Sequence, residues 1–319
     1  CLAIRMIYRK LGKTGLKSSL LSLGTGGARK LGQTSGLSFQ EQKNLIFKAF
    51  DLGVNFIDTA PSYDESERIL GQILKDVSRN KFFISTKWTP REENHVLNEP
   101  KQLKQSVDLS LKKLNIDCID VMFLHGLLPS DYETAVERFY PKMLELKHEG
   151  KIRFIGFSTR FKIDHTQESA KKALVSDPHL WDVIMLKYGI MNQHAEKEIL
   201  PLASKHDVGI MNMAAVRVKL PDPSLLEKQI QEWKKKGLLD QKSIPDKKPL
   251  DWLIHDNVES VIDARYRFSA EPLSISTVIS RTANIQHLES NARSLETPIL
   301  SPVDTQKLKK LFSHIVEYA

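Results

Sequence analysis

The sequence predicts one α/β domain, a (β/α)8 TIM barrel with an N-terminal β-hairpin and long loops on the face where the strands end. Three observations predict it. Eight short apolar runs recur along the 319 residues. They are rich in Val, Ile, Leu and Phe on both faces, as parallel strands covered on both sides must be. Amphipathic segments of helical period lie between them. A doubly wound open sheet shares this alternation and is the alternative, since right-handed crossovers serve both.

In chain order, residues 7–18 (IYRKLGKTGLKS) carry a Lys-Thr-Gly turn and read as a hairpin across the barrel floor. Strands are expected at 19–24, 55–59, 82–87, 118–125, 153–158, 182–187, 209–213 and 276–280. Helices are expected at 39–53, 66–77, 100–115, 133–150 and 195–207, each ending near Gly, Asn or Asp. Residues 217–249 are long, charged and Pro-containing, in the place of a lid over an active site. Residues 258–275 lengthen the approach to the last strand, and 300–319 read as a terminal helix. No linker, low-complexity stretch or short-period repeat divides 1–319, so a single domain is expected.

Composition excludes several classes. Apolar and charged fractions of 41% and 27% are those of a globular chain. No apolar run approaches the ~20 residues of a membrane span. The opening CLAIRMIYRK is too short and too soon charged for a secretory signal, and its leading Cys1 suggests a trimmed chain. Two cysteines, Cys1 and Cys118, make no disulfide framework, and no Asn-X-Ser/Thr site occurs. A reducing, cytoplasmic setting is expected. The net charge of +8 reads as a solvated basic surface, or as attraction for a phosphate-bearing cofactor. Lysines are scattered without an aromatic-interleaved stripe, which argues against nucleic acid. The densest cluster, Trp233 to Lys236, reads as a wet helix face.

In a barrel the working residues stand at the C-terminal strand ends. The second run, NFIDT, ends at Asp58, with Tyr63 in the loop beyond; the third ends on Lys87 and the fourth on His125. Each has a bland reading: a turn cap, a rim aromatic, a snorkelling lysine, a core histidine. Four titratable groups closing three successive apolar strands make a better site than a coincidence. A free phenol, with pKa ~10, is a weak acid at neutral pH. A nearby ammonium favours its phenolate, and a carboxylate keeps that ammonium charged. The imidazole can donate to a carbonyl oxygen. The set polarises a carbonyl and delivers a proton, and lacks only a hydride, which a cofactor must bring.

GVNFIDTAPSYDESERILG resembles the signature of the aldo-keto reductase family, and STKW, FLHG and LELKHEGKIRFIGFS continue the likeness in order. The resemblance runs from Tyr8 to about Asn291 and is nearest the sugar-oxidising branch. It implies interconversion of a carbonyl and an alcohol with NADP(H) or NAD(H), and assigns Asp58, Tyr63, Lys87 and His125 to the catalytic tetrad. It places the adenosine phosphates at Ser280, Arg281 and Thr282, with Asn291 near adenine and His287 where an arginine often meets the 2′-phosphate. Arg281 tips the expectation to NADP(H) over NAD(H). Gly26 lets the backbone approach the nicotinamide ribose, and LGTGGARKLG lacks the context of a Rossmann fingerprint. Ser158 and Met185 stand at the carboxamide positions, where Thr159 and Met185 replace the usual Asn and Gln. Ala214, Ala215 and Val216 replace a Ser-Pro-Leu. Asp64 follows Tyr63 where glycine is common, a second carboxylate placed to act on Lys87. Trp88, Leu127 and Leu128 are expected to form an apolar substrate rim.

The implied function is a nicotinamide-dependent oxidoreductase acting on a small aldehyde, ketone, lactol or alcohol, as a monomer or small homo-oligomer. The eroded carboxamide contacts keep a second reading open, an NADP(H)-binding regulatory or redox-sensing barrel with little turnover. A metal-dependent hydrolase is disfavoured: no His-X-His follows the first strand, and Lys87 would have no role.

Overall fold

A computed structural model describes residues 3–92, 96–213 and 222–317. Eight parallel strands close into a barrel: β3 (Leu21–Gly24), β4 (Phe56–Asp58), β5 (Phe83–Trp88), β6 (Ile119–Leu127), β7 (Ile152–Thr159), β8 (Val183–Leu186), β9 (Gly209–Asn212) and β10 (Ile275–Ser280), with β10 returning to pair β3. The open-sheet alternative is thereby excluded. Ahead of them β1 (Tyr8–Lys10) and β2 (Lys17–Ser19) form the antiparallel hairpin.

Side-chain alternation along the strands splits the apolar residues in two. Outward residues pack with the helices into one large cluster. Inward residues, Phe56, Val121, Phe123, Val183, Met185, Met211 and Ile279, fill the barrel, and Leu11 and Leu16 of the hairpin join them. Burying each of these two leucines is worth ~1.5–3 kcal/mol, which holds the hairpin across the floor. Gly12, at φ +48°, sits where a Cβ would lie 2.3 Å from the Gly209 nitrogen. Only glycine allows that approach. Arg9 Nη1 donates to the carbonyls of Ala270 at 2.7 Å and Ile275 at 2.8 Å, tying the hairpin to the connection before the last strand.

Several expected boundaries shift for identifiable reasons. β6 continues past His125 to Leu127 because Gly126, at φ +70°, makes an irregularity between Leu124 and Leu127. The segment 133–150 holds a π-turn, Ala135–Phe139, before the helix Tyr140–His148. Pro141 lacks the N–H that an unbroken α-helix would use there. A nine-residue helix, Glu168–Ser176, links β7 and β8 and was too short to show a period. Helix 195–207 shrinks to Ile199–Lys205 behind a 3-10 turn. The charged segment contains the helix Pro223–Lys235, capped by Asp222, and 258–275 is the ordinary crossover helix Val261–Ala270 before β10. The Trp233–Lys236 cluster is only partly wet: Trp233 packs on Phe312, and Lys234 is buried against the Ile244 carbonyl and Asp246. Among the described residues no helix is long and apolar enough to cross a membrane, and no three ligands gather for a metal ion.

Candidate active site

Alternation also decides what reaches the barrel mouth. On β4, Phe56 and Asp58 point inward; on β5, Phe83, Ser85 and Lys87 do; on β6, Val121, Phe123 and His125. Asp58 and Ser85 are register partners. Lys87 Nζ lies 2.6 Å from Asp58 Oδ1 and 2.7 Å from the Thr59 carbonyl, while Ser85 Oγ donates to the same Asp58 oxygen at 2.7 Å. Both ionic residues are essentially sealed, Asp58 at 0% and Lys87 at 1% exposure. Asp58 Oδ2 is buried without a hydrogen bond.

Tyr63 stands over this pair. The Lys87 ammonium is 5.1 Å from the centre of its ring, and the ring meets His125 edge-on at 6.0 Å between centroids and 88°. Its position depends on Gly26, where a Cβ would fall 2.5 to 2.8 Å from the phenol ring. The following helix, Ser66–Leu74, anchors the Tyr63 loop. Ser66 Oγ donates to the Thr25 carbonyl, and buried Glu67 accepts from Thr86 and Ser110. Gly71 lets that helix touch the Lys113 carbonyl, where a Cβ would sit at 2.1 Å. The Ser-Glu and Leu-Gly pairs thus hold the loop that presents the phenol.

His125 is half-buried at the mouth. Burial first, then the positive charges of Lys87, Arg281 and Arg160, pushes its pKa down to about 3, so its ring is neutral at physiological pH. Arg160 was not foreseen. Its stem packs against Gly126, where a Cβ would lie 3.6 Å from its Cγ.

Asp58, Tyr63, Lys87 and His125 are brought together; the rim residues are not. Trp88 and Leu127 lie in the outer cluster, Trp88 at 6% exposure and edge-on to Phe139 at 5.0 Å. With Lys87 facing in, its neighbour must face out. Both pack toward the helices rather than the barrel mouth. Asp64, at φ +52° and largely exposed, pairs with Lys30 at 2.8 Å and so is engaged away from the buried pair. Ser158 and Met185 are register partners. The Ser158 hydroxyl accepts from the Gly126 N–H at 2.8 Å, and Met185 is packed into the barrel filling. Ala214, Ala215 and Val216 lie outside the described residues.

At the far side of the mouth, Ser280 is buried behind the strand and accepts from Asn291 Nδ2 at 2.9 Å, so these two groups hold each other. Arg281 crosses to the Met213 carbonyl at the end of β9, in space left open by Gly24 and Gly27. Its Nε is buried and unpartnered. Thr282 precedes the helix Ile285–Ser294, whose cap, Asn284, accepts from the His287 N–H; the His287 side chain is exposed. An unsatisfied guanidinium N–H beside a helix start fits a phosphate-bearing group. A cleft of about 550 Å³ around Tyr188, Phe268 and Lys309 shares no residue with this cluster.

The profile of the "Aldo/keto reductase family" matches residues 22–312. L-galactose dehydrogenase of Arabidopsis thaliana is 29% identical over 70% of this chain and 69% of its own length. An NADH-specific methylglyoxal reductase of Escherichia coli is 31% identical over 62% of this chain, which spans 64% of it. The holo form of an aldo-keto reductase from Bacillus halodurans superposes with a TM-score of 0.72 at 24% identity, covering 98% of each chain, and speaks for the fold alone. With a profile match over nearly the whole barrel, the chain belongs to the aldo/keto reductase family and is a nicotinamide-dependent oxidoreductase.

Proposed function

We propose that the protein interconverts a small aldehyde, ketone or lactol and its alcohol, with Tyr63 giving or taking the proton, and that it uses NADP(H) in preference to NAD(H). The observation that carries the reading is the sealed Asp58–Lys87 pair beneath the Tyr63 ring. A nicotinamide cofactor, when bound, would supply or accept the hydride, and Arg281, Thr282, Ser158 and Gly26 would hold it.

The chain's own groups divide the remaining work. Lys87 keeps a positive charge 5.1 Å from the phenol ring, which favours negative charge on the phenol oxygen as its proton leaves. Asp58 pairs with that lysine and fixes it in an apolar wall. His125, neutral, offers a ring N–H to a substrate oxygen without competing as a strong acid. The inward apolar residues below exclude water. Arg281 is the support for NADP(H), because a guanidinium fork suits a phosphate monoester better than the His287 imidazole does.

Fluorescence titration and a panel of aldehydes, ketones and sugars test this. Tyr63→Phe is expected to lower kcat by on the order of 10²–10⁴ with cofactor affinity unchanged. Normal turnover by Tyr63→Phe sinks the proton-donor role. Tight NADPH binding by the unmodified chain with no turnover of any substrate points instead to a regulatory barrel.

A further inference from the structure

We infer that Arg265, on the helix Val261–Ala270, is a phosphate ligand that works with Arg281 to hold a phosphate group of the nicotinamide dinucleotide. The inference rests on the cofactor reading above and adds a residue no motif points to.

Arg265 is 3% exposed, and its Nε and Nη1 are both buried with no hydrogen-bond partner. Among the described residues no carboxylate acts on it, and the Tyr266 phenol is the titratable neighbour it feels. Three other buried cations each have a carboxylate. Arg267, two residues on, is held by Asp263 and the Asn257 carbonyl. Lys87 has Asp58 and Lys234 has Asp246. Arg265 has none among the described residues.

Its place in the fold says what it awaits. The helix that carries it packs against β10 and against the helix Ile285–Ser294, and both Arg265 and Arg281 act electrostatically on the phenol of neighbouring Tyr266. Arg281 adds a third buried, unpartnered N–H, its Nε, while its Nη1 holds the Met213 carbonyl at the end of β9. Two guanidinium groups with three unsatisfied donors, one at the end of β9 and one on the helix packed against β10, therefore act on the same phenol. A phosphate offers clustered acceptor oxygens and the missing negative charge, and guanidinium forks match it. Burial lowers the Arg265 pKa to about 9, which leaves it charged at neutral pH. A charged, unpaired group destabilises the ligand-free fold, and binding an anion removes that cost.

The test uses the full chain, wild type and with Arg265→Met or Arg265→Lys. Thermal unfolding is followed without ligand, and Kd for NADPH and for NADH by fluorescence titration. Arg265→Met is expected to unfold at or above the wild-type temperature, since it removes an unpaired charge. Its Kd for NADPH is expected to rise by on the order of 10–100-fold. Arg265→Lys, which keeps the charge and loses the fork, should fall between. Loss confined to NADPH identifies the 2′-phosphate as the group held, and equal loss for NADH identifies the pyrophosphate. Unchanged NADPH affinity in Arg265→Met overturns the assignment and leaves the cofactor reading intact. Failure of the wild type to bind either dinucleotide overturns both. If Arg265→Met does not fold, Arg265→Lys decides: affinity within twofold of wild type refutes the inference.

Discussion

Asp58→Asn leaves the Lys87 ammonium sealed in the barrel wall with the Thr59 carbonyl as its remaining neutral acceptor. Breaking a buried pair by removing one partner costs about 3–5 kcal/mol, because the other charge stays behind uncompensated. Lys87→Met strands Asp58 in the same way, with Ser85 Oγ as its hydrogen bond and Oδ2 already unpartnered. Independent effects would sum to roughly 6–10 kcal/mol. The double variant Asp58→Asn/Lys87→Met removes both charges together, and should cost far less than that sum. Unfolding entropy of ~2.1 cal/mol/K per residue over this chain length puts each single loss at about 4–8 °C in Tm. Urea denaturation at constant m gives the free energies directly. Turnover should vanish in all three variants, so the cycle separates what the pair does for the fold from what it does for the proton. Single losses below ~1 kcal/mol, or a double loss equal to the sum, would refute the view of a tightly coupled sealed pair.

Gly26→Ala should displace the Tyr63 ring, which a Cβ would meet at 2.5 Å. A fall in kcat of ~10² with little change in Tm is expected, and wild-type kinetics would show that the ring position does not matter. The His125 ring resonances should stay at their neutral positions from pH 8 down to pH 5, because burial and three cations hold its pKa near 3; an NMR midpoint of 6 to 7 contradicts this. Its contribution to stability has the matching sign: the unfolded chain takes up the proton first, so stability falls as pH drops below the unfolded value. His255 runs the other way. Hydrogen bonds to Asp256 and Asp304 raise its pKa, so its contribution is complete below the unfolded value and is lost as pH rises through the folded one. His255→Gln should therefore lower Tm at pH 5.5 and leave it unchanged at pH 9, and equal effects at both would rule the ion pairs out.

Asp58, Lys87 and His125 could be read from the sequence because each interrupts an apolar run at its C-terminal end, where a parallel strand delivers its side chain to the mouth. Trp88 and Leu127 turn toward the helices because of strand parity: adjacency to a functional residue puts the next side chain on the opposite face. Leu127 was harder, since Gly126 breaks the register before it. Arg265 left no trace in the chain, because an arginine in a short helix looks like any surface arginine until burial and missing partners are seen. Arg160 was hidden likewise, as its nearness to His125 comes from the packing of β6 against β7. The helix Glu168–Ser176 fell below the length at which a 3.6-residue period can be recognised.

The latch between Arg9 and the carbonyls of Ala270 and Ile275 joins positions 261 and 266 residues apart. The seam of the barrel, where β10 enters between β9 and β3, is made of the same long-range contacts. A chain emerging during synthesis therefore holds β3 and β9 as open edges until almost all of the barrel exists. The entropy of closing so large a loop makes this insertion the late, slow event of folding, and the stage at which the protein is most exposed to aggregation.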